Sequence, residues 1–387
     1  MTVRKPVYLD HNSTTPIDPR VLEAMLPFMR EDFGNAASKT HIFGQVARIA
    51  VEAARDKVAS MISAEPKEII FTSGATESDN IAIKGVMENY SSKGNHLITA
   101  ATEHKAVLDT VSYLESRGIR TTILDVDRFG QIDLDQLENT ITPETVLISL
   151  MHANNEIGTV HPVEQIGKIA NRHGIIFHSD ATQSVGRIPV NIEESGIHLL
   201  SLSAHKIYGP KGVGALFVRS RHPRVKPLPV IHGGGHERGI RSGTLNVPGI
   251  VGMGVAYDIA STGMAEESDR IKKLRDHFED GVISSLEGVH LNGHRENRTP
   301  NTSNLSFENI DSGKLITSLE NNLAVSSGSA CTSANPEPSY VLRAIGQSDS
   351  LAGASVRFSL GRFTTMEEID FAIGSVVSAV NELRRKH

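Results

Sequence analysis

Glu68-Ile69-Ile70-Phe71-Thr72-Ser73-Gly74-Ala75-Thr76-Glu77-Ser78-Asp79-Asn80 passes from a short apolar run, through a glycine, into a polar stretch that leads a helical pattern. Residues 68–72 read as a strand because they are apolar or β-branched and are bounded by turn residues. Glu77 to Tyr90 reads as a helix from its apolar spacing. A strand, a glycine turn and a helix in immediate succession form the opening of a βα unit, and the same alternation recurs downstream. His96 to Ala100 is the next strand and Lys105 to Ser116 the next helix. Strands at Thr121–Val126, Val146–His152 and Ile175–His178 continue the series, with a helix at Val163–Arg172 before the last of them. Leu199–Ser203 and Gly214–Val218 complete a set of seven strands, and the short loop joining this last pair predicts that it is antiparallel. Alternating strands and helices predict an α/β fold, with a large, mostly parallel sheet covered on both faces.

The pattern changes after Gly263. A charged helix (Ala265–Ser285), a weak strand (Asn304–Phe307), a helix around Lys314–Leu319, a strand (Ser355–Ser359) and an amphipathic helix (Met366–Arg385) predict a smaller α+β unit. The chain is therefore expected to divide into a large unit, residues 16–262, and a small one formed by 1–15 with 263–387.

Bulk composition narrows the function classes. The 387 residues are 39% hydrophobic and 22% charged, as in a soluble globular protein, and the net charge of −6 carries no footprint for nucleic acid or an anionic membrane surface. No run is long enough for a signal peptide or a membrane span, so a cytoplasmic location is expected. Cys331 is the single cysteine, which excludes an intramolecular disulfide. It sits in Ser326-Ser327-Gly328-Ser329-Ala330-Cys331-Thr332-Ser333-Ala334-Asn335-Pro336, a stretch with neither helical nor strand periodicity. A loop thiol is what a travelling nucleophile needs, although an inert loop cysteine would look the same.

In open α/β sheets ligands bind beyond the carboxyl ends of the strands, so the residues after each strand are the candidates. Thr72–Asn80 offers a helix N-terminus suited to phosphate, with Thr76 and Asp79 at capping-box spacing; an ordinary capped helix is the alternative. Ile176–Ser184 ends a strand on Asp180, and a strand-end carboxylate can hold a pyridinium nitrogen protonated. Ser201–Gly212 ends another strand on Ser203, His205 and Lys206, and a lysine in a desolvated cleft is suited to Schiff-base chemistry. A phosphate turn, an aspartate and a lysine in this order point jointly to pyridoxal phosphate. His104, where a strand turns into a helix, suits acid/base work or stacking on a ring, or else is a capping or core histidine. Met151–Glu156, which includes Asn155, brings polar groups to the same edge. The glycine-rich stretch His232–Thr244 reads as a flexible basic loop near an anion rather than a zinc site, because three glycines between His232 and His236 preclude a stable helix.

Together these residues resemble the pyridoxal-phosphate-dependent cysteine desulfurases of the NifS/IscS type, over nearly the whole chain. The resemblance is carried by Phe71–Ser78, Thr102-Glu103-His104, Ala153–Glu156, Asp180–Gln183, Ala204-His205-Lys206, Arg241–Thr244, Ser326–Ser333 and Val356–Ser359. It implies the type I, aspartate-aminotransferase-like fold and a homodimer. It also implies that Lys206 is the Schiff-base lysine, that Asp180 partners the pyridinium, that Gln183 contacts the ring hydroxyl and that His104 stacks on the ring. Ala75, Thr76, Ser203 and His205 would hold the phosphate, helped by Thr244 from a partner subunit. Asn155 and Arg357 would bind the substrate carboxylate. The implied reaction turns L-cysteine into L-alanine and leaves the sulfur on Cys331 as a persulfide for an acceptor such as an iron–sulfur cluster scaffold protein (IscU-like). On such a scaffold Cys331 could also ligate a transient [2Fe-2S] cluster. A selenocysteine lyase, or another pyridoxal phosphate enzyme on the same fold, is the alternative.

Two positions depart from the usual pattern of this family: Ser13 stands for an alanine and Ala36 for a proline, and neither is expected to touch a catalytic role. The sequence stops at Arg384-Arg385-Lys386-His387, where assembly-type relatives often carry a tail that helps to dock the scaffold.

Overall fold

The seven strands expected between residues 68 and 218 form one sheet in the computed structural model, which describes residues 3–327 and 338–385. After β1 (Val7–Tyr8) come α1 (Pro19–Arg30), α2 (Ile42–Met61), β2 (Ile69–Thr72), α3 (Ala75–Asn89), β3 (His96–Ala100) and α4 (Lys105–Glu115). β4 (Arg120–Leu124), α5 (Leu134–Thr140), β5 (Thr145–Ser149), α6 (Val163–Arg172), β6 (Ile176–Asp180), β7 (Leu199–Ser203) and β8 (Gly214–Val218) follow. The sheet order is β2-β8-β7-β6-β5-β3-β4. β8 runs antiparallel to both β7 and β2, as expected for the pair joined by a short loop, and the remaining pairs are parallel. Six strands therefore point their carboxyl ends at one edge, and this edge carries the site.

Both faces of the sheet are covered, which explains why most of its strands are uninterrupted apolar runs. Ile69, Phe71, Phe177, Leu200, Leu202 and Phe217 face a core shared with α1, α2, α6 and the first half of a long helix. Ile70, Leu97, Ile176, Leu199 and Leu216 face a second layer with α3 and α4. Only the edge strand β4 is largely open to solvent, and there the sequence turns to Arg120, Thr121 and Thr122.

The long helix, α7, runs unbroken from Val247 to Ser285, whereas the change of composition at Gly263 suggested a helix beginning at Ala265. At 39 residues it spans about 58 Å. Its first half buries Ile250, Met253 and Tyr257 in the large core, and its second half buries Ile271, Leu274, Phe278 and Val282 in another core. No residue between Ala260 and Ile271 is buried. The compositional change is thus a change of packing partner, and one interior glycine, costing about 1 kcal/mol, does not end the helix.

The second core belongs to the remaining elements: β9 (Val289–Leu291), β10 (Thr302–Phe307), α8 (Ser312–Leu319), β11 (Leu323–Ala324), α9 (Tyr340–Ala344), α10 (Asp349–Ala352), β12 (Ser355–Ser359) and α11 (Met366–Arg385). Three of these strands form an antiparallel sheet in the order β12-β10-β9. β1 pairs in parallel with β11, so Val7 and Leu9 pack beside Leu305, Phe307, Val356 and Phe358. Cys331 lies outside the described residues, as does the rest of 328–337. No helix among the described residues is long and apolar enough to cross a membrane.

The free edge of β2 is closed by a buried ion pair. Phe71 N–H donates to Glu237 Oε2 at 2.7 Å, Arg55 Nη1 donates to the Ile69 carbonyl at 2.7 Å, and Arg55 and Glu237 meet through two bonds of 2.8 Å. Glu237 and Arg238 both have left-handed φ, 45° and 57°, a strained pair that persists because this pairing over-determines it. The stretch read as a flexible basic loop is therefore anchored at its centre. It is anchored again where Arg241 Nε donates to Glu77 Oε1 at 2.8 Å, so the anion beside it is a carboxylate of this same chain. Removing Glu237 would leave Arg55 buried and unpaired. Glu237→Ala is expected to cost about 3–5 kcal/mol in urea unfolding, whereas an exposed pair such as Lys273–Asp269 should give under about 1 kcal/mol when broken.

Candidate active site

A cavity of about 540 Å³ opens at the carboxyl edge of the large sheet. Ala75, Thr76, His104, Asn155, Asp180, Gln183, Ser203, His205, Lys206 and Arg357, dispersed over most of the sequence, all line it. Thr244 does not; it is exposed on this chain. Asn12, Ser13, Thr14, Thr182 and Lys211 also line the cavity, and sequence reasoning did not single them out as site residues.

The turn after β2 places α3 against this cavity. Gly74 has φ 156° and ψ 178°, a conformation open essentially to glycine alone, and a Cβ there would meet nothing within 4 Å. The glycine is required for its backbone and not for space. It is itself the N-cap of α3, and no side chain caps the first turn. The capping box expected from Thr76 and Asp79 is therefore absent. Thr76 stands in the first turn, and Asp79 is fully buried with an oxygen 3.5 Å from His178 Nε2. Uncapped N–H groups at the start of a four-turn helix form a site for an anion. Glu77 secures the turn from outside by accepting the Ser73 N–H at 2.6 Å.

Lys206 follows β7 and is half-buried. Its Nζ donates to the carbonyls of Asn12 at 2.6 Å and Ser13 at 2.8 Å. Burial, followed by the charges of Arg187 and Arg357, brings its pKa down to about 7, with Asp180 and Asp10 opposing. Much of the amine is therefore neutral at neutral pH, when it can act as a nucleophile. Arg187 reaches this position from below the cavity, with its guanidinium on Gln183 Oε1 and near the Lys206 carbonyl.

Asp180 ends β6 and accepts the Thr182 N–H on Oδ1 at 2.9 Å. Behind it Asp79 and Glu103 are fully buried. Both carboxyls are pushed well above the usual range, first by burial and then in part by the charge of Asp180. Asp180 is thus the carboxylate that faces the cavity from a dry floor. His104 satisfies both readings of its position, because Nδ1 accepts the Ala106 N–H at 3.1 Å and caps α4 while the ring lines the cavity. That bond leaves the proton on Nε2, and burial lowers the pKa of the ring, keeping it neutral. His205 is held down at about 4 by burial and by Lys206, and bonds to Thr14 Oγ1 at 3.1 Å.

Arg357, on β12 of the small sheet, crosses to the same cavity. Nη1 donates to the Asn155 carbonyl at 3.0 Å, and Nη2 donates to Asp10 Oδ1 at 2.7 Å and to Ser13 Oγ at 2.8 Å. Its Nε and the side-chain oxygen of Asn155 are buried without partners among the described residues. Ser13 was expected to touch no catalytic role. It meets both Lys206 and Arg357 because β1 carries residues 10–14 across the mouth of the large sheet. Ala36 is buried and does not line the cavity.

These groups fit pyridoxal phosphate on chemical grounds. An uncapped helix start with Ser203 and His205 suits the phosphate, a half-buried lysine of lowered pKa suits the aldehyde, and a strand-end carboxylate suits the ring nitrogen.

Comparison with known proteins agrees with this donor set. Residues 7–371 match the aminotransferase class-V family model. The chain is 54% identical over 379 residues to a cysteine desulfurase IscS of Anaeromyxobacter sp. (strain Fw109-5), covering 98% of this chain and 93% of that one. Among solved structures, a NifS-like protein is similar with a TM-score of 0.90 at 38% identity, over 97% of this chain and all of the other. The structure described as SspA in complex with cysteine is similar with a TM-score of 0.81 at 40% identity, over 93% of this chain and all of the other. The chain belongs to the aminotransferase class-V family and, within it, to the pyridoxal-phosphate-dependent cysteine desulfurases of the NifS/IscS type.

Proposed function

We propose that the chain converts L-cysteine to L-alanine and transfers the sulfur to Cys331, which hands it to an acceptor, an iron–sulfur cluster scaffold being the one we favour. The observation that carries this reading is Lys206, half-buried, with a pKa near 7, sharing one cavity with Asp180. Bound pyridoxal phosphate supplies an aldehyde for the substrate amine and a protonated ring that accepts electrons from the substrate carbons. Asp180 would hold the proton on the ring nitrogen, Gln183 would bond the ring hydroxyl and His104 would cover one ring face, all three lining the same cavity. Ala75, Thr76, Ser203 and His205 bind the phosphate. Asn155 and Arg357 take the substrate carboxylate, which fixes the substrate sulfur on one line of approach. Lys206 Nζ moves the proton between the substrate carbons. The Cys331 thiolate attacks the substrate sulfur, so that an S–S bond forms as the Cβ–S bond breaks; the electron pair goes to Cβ, which takes up a proton. L-cysteine and one thiol thus become L-alanine and one persulfide, with no further oxidant or reductant.

Two features support the delivery step. Ser326, five residues before Cys331, exchanges backbone hydrogen bonds with Arg357 at 2.7 and 3.3 Å. Five residues span at most about 18 Å, which bounds the distance of residue 331 from Ser326. Ser339, on the other side of Cys331, donates to the buried Glu156 carboxylate at 2.5 Å, next to Asn155.

The two packed cores support dividing the chain into a cofactor-binding unit, residues 16–262, and a smaller unit of 1–15 with 263–387. A homodimer is supported by an apolar stripe on α1 and beyond it. Leu22, Leu26, Met29 and Phe33 recur at helical spacing and are all exposed, alongside exposed Ile42, Phe43 and Ile49. In such a dimer Thr244 is free to complete the phosphate site of the partner subunit.

Cys331→Ser is expected to retain the visible absorbance of bound pyridoxal phosphate but to form neither persulfide nor sulfide from L-cysteine. Alanine production at the native rate would exclude Cys331 as the acceptor. The pH dependence of Lys206 has a definite sign. Its pKa is lowered, so the neutral amine is lost as pH falls through about 7. The rate at which cofactor-free protein takes up pyridoxal phosphate should rise about tenfold per pH unit below 7 and level off above it. An unperturbed lysine would still be gaining rate near pH 10. Stopped-flow absorbance distinguishes the two. Met29→Glu with Phe33→Glu should convert a dimer into monomers in sedimentation; an unchanged dimer would place the contact elsewhere.

A further inference from the structure

Arg357 is more fully committed than a free carboxylate receptor would be. A guanidinium presents two edges to a carboxylate, one formed by Nη1 with Nη2 and the other by Nε with Nη2, so Nη2 belongs to both. Here Nη2 donates both to Asp10 Oδ1 at 2.7 Å and to Ser13 Oγ at 2.8 Å. Nη1 is partly occupied by the Asn155 carbonyl, and Nε is buried without a partner among the described residues. An incoming carboxylate therefore meets Ser13 or Asp10 at whichever edge it uses. The two differ in what they offer it. Asp10 is an anion with only acceptors and repels a second carboxylate, whereas the Ser13 hydroxyl is neutral and can accept and donate at once. Ser13 accepts from Arg357, and its own proton makes no hydrogen bond among the described residues. It lines the cavity beside Asn155 and Arg357.

We propose that Ser13 is a direct contact for the substrate carboxylate, donating its hydroxyl proton to one carboxylate oxygen while Arg357 holds the other. This rests on the reading of Arg357 as the carboxylate residue. The Ser13 carbonyl takes the Lys206 Nζ–H at 2.8 Å, so this backbone is also fixed against the reacting lysine. Ser13 thus brings carboxylate and amine recognition into one short segment. Its charge-assisted bond acts before and during the reaction alike, and it therefore governs binding more than turnover.

Ser13→Ala removes only the hydroxyl. The test follows the visible absorbance of the holoenzyme during titration with L-alanine, which has the amine and the carboxylate but no sulfur. A second titration uses 2-aminoethanethiol, which has the amine and the thiol but no carboxylate. Ser13→Ala should weaken L-alanine about tenfold, leave 2-aminoethanethiol unchanged, and raise KM for L-cysteine by more than it lowers kcat. Ser13→Thr, which keeps a hydroxyl, should restore most of the L-alanine affinity. Unchanged or tighter L-alanine binding in Ser13→Ala would overturn the assignment, as would equal weakening of both ligands. Arg357→Lys separates the two readings. If it leaves L-alanine binding intact, the carboxylate site itself is misplaced. If it weakens L-alanine while Ser13→Ala does not, Ser13 alone is wrong.

Discussion

A lysine that must react as a neutral amine has to be kept away from water, and much of the site is arranged around that requirement. The carbonyls of Asn12 and Ser13 close over Lys206 Nζ, and they reach it because β1 pairs with β11 in a separate two-stranded sheet and carries the next residues back across the large one. Burial and two neighbouring guanidinium groups lower its pKa, while Asp180 and Asp10 moderate the effect. The cost of desolvating an ammonium thus falls on the site, and it makes the amine nucleophilic near neutral pH. Arg357 depends on the same segment, through Asp10 and Ser13.

Around this centre the structure keeps charge where geometry needs it. Asp180 faces the cavity, while the carboxyls of Asp79 and Glu103 behind it are driven toward their neutral forms by burial. The edge of β2 is closed by Arg55 and Glu237, a pair with nearly every hydrogen-bonding direction used, which is the condition under which a buried ion pair is tolerated. The glycine-rich stretch is thereby fixed twice, at Glu237 and at Arg241, and its second anchor, Glu77, also holds the phosphate turn through Ser73. A change in that loop would therefore be felt at the N-terminus of α3.

Much of the fold was legible in advance, because strands such as 96–100, 199–203 and 214–218 are short apolar runs with clear punctuation. Lys206, Asp180 and His104 were legible as residues after strands, the place where an α/β sheet binds ligands. Capping-box spacing links Thr76 to Asp79, but spacing says nothing about burial, and the N-cap is Gly74 while Asp79 lies buried. The break expected at Gly263 did not occur, since composition records what a helix packs against and not whether its hydrogen bonds continue. Ser13 was set aside for a related reason: nothing local in Asn12-Ser13-Thr14 reveals an arginine from residue 357.

The sequence by itself determined the alternation of strands and helices, the chemistry available at each strand end and, through its motifs, the family. These are local properties, set by side-chain period, turn residues and short-range spacing. Tertiary structure alone decided which backbone closes over Lys206, which carboxyls are stripped of water behind Asp180, and that Arg357 Nη2 meets both Asp10 and Ser13. Those depend on groups brought together from opposite ends of the chain, where desolvation and distance act on pairs that the linear order keeps hundreds of residues apart.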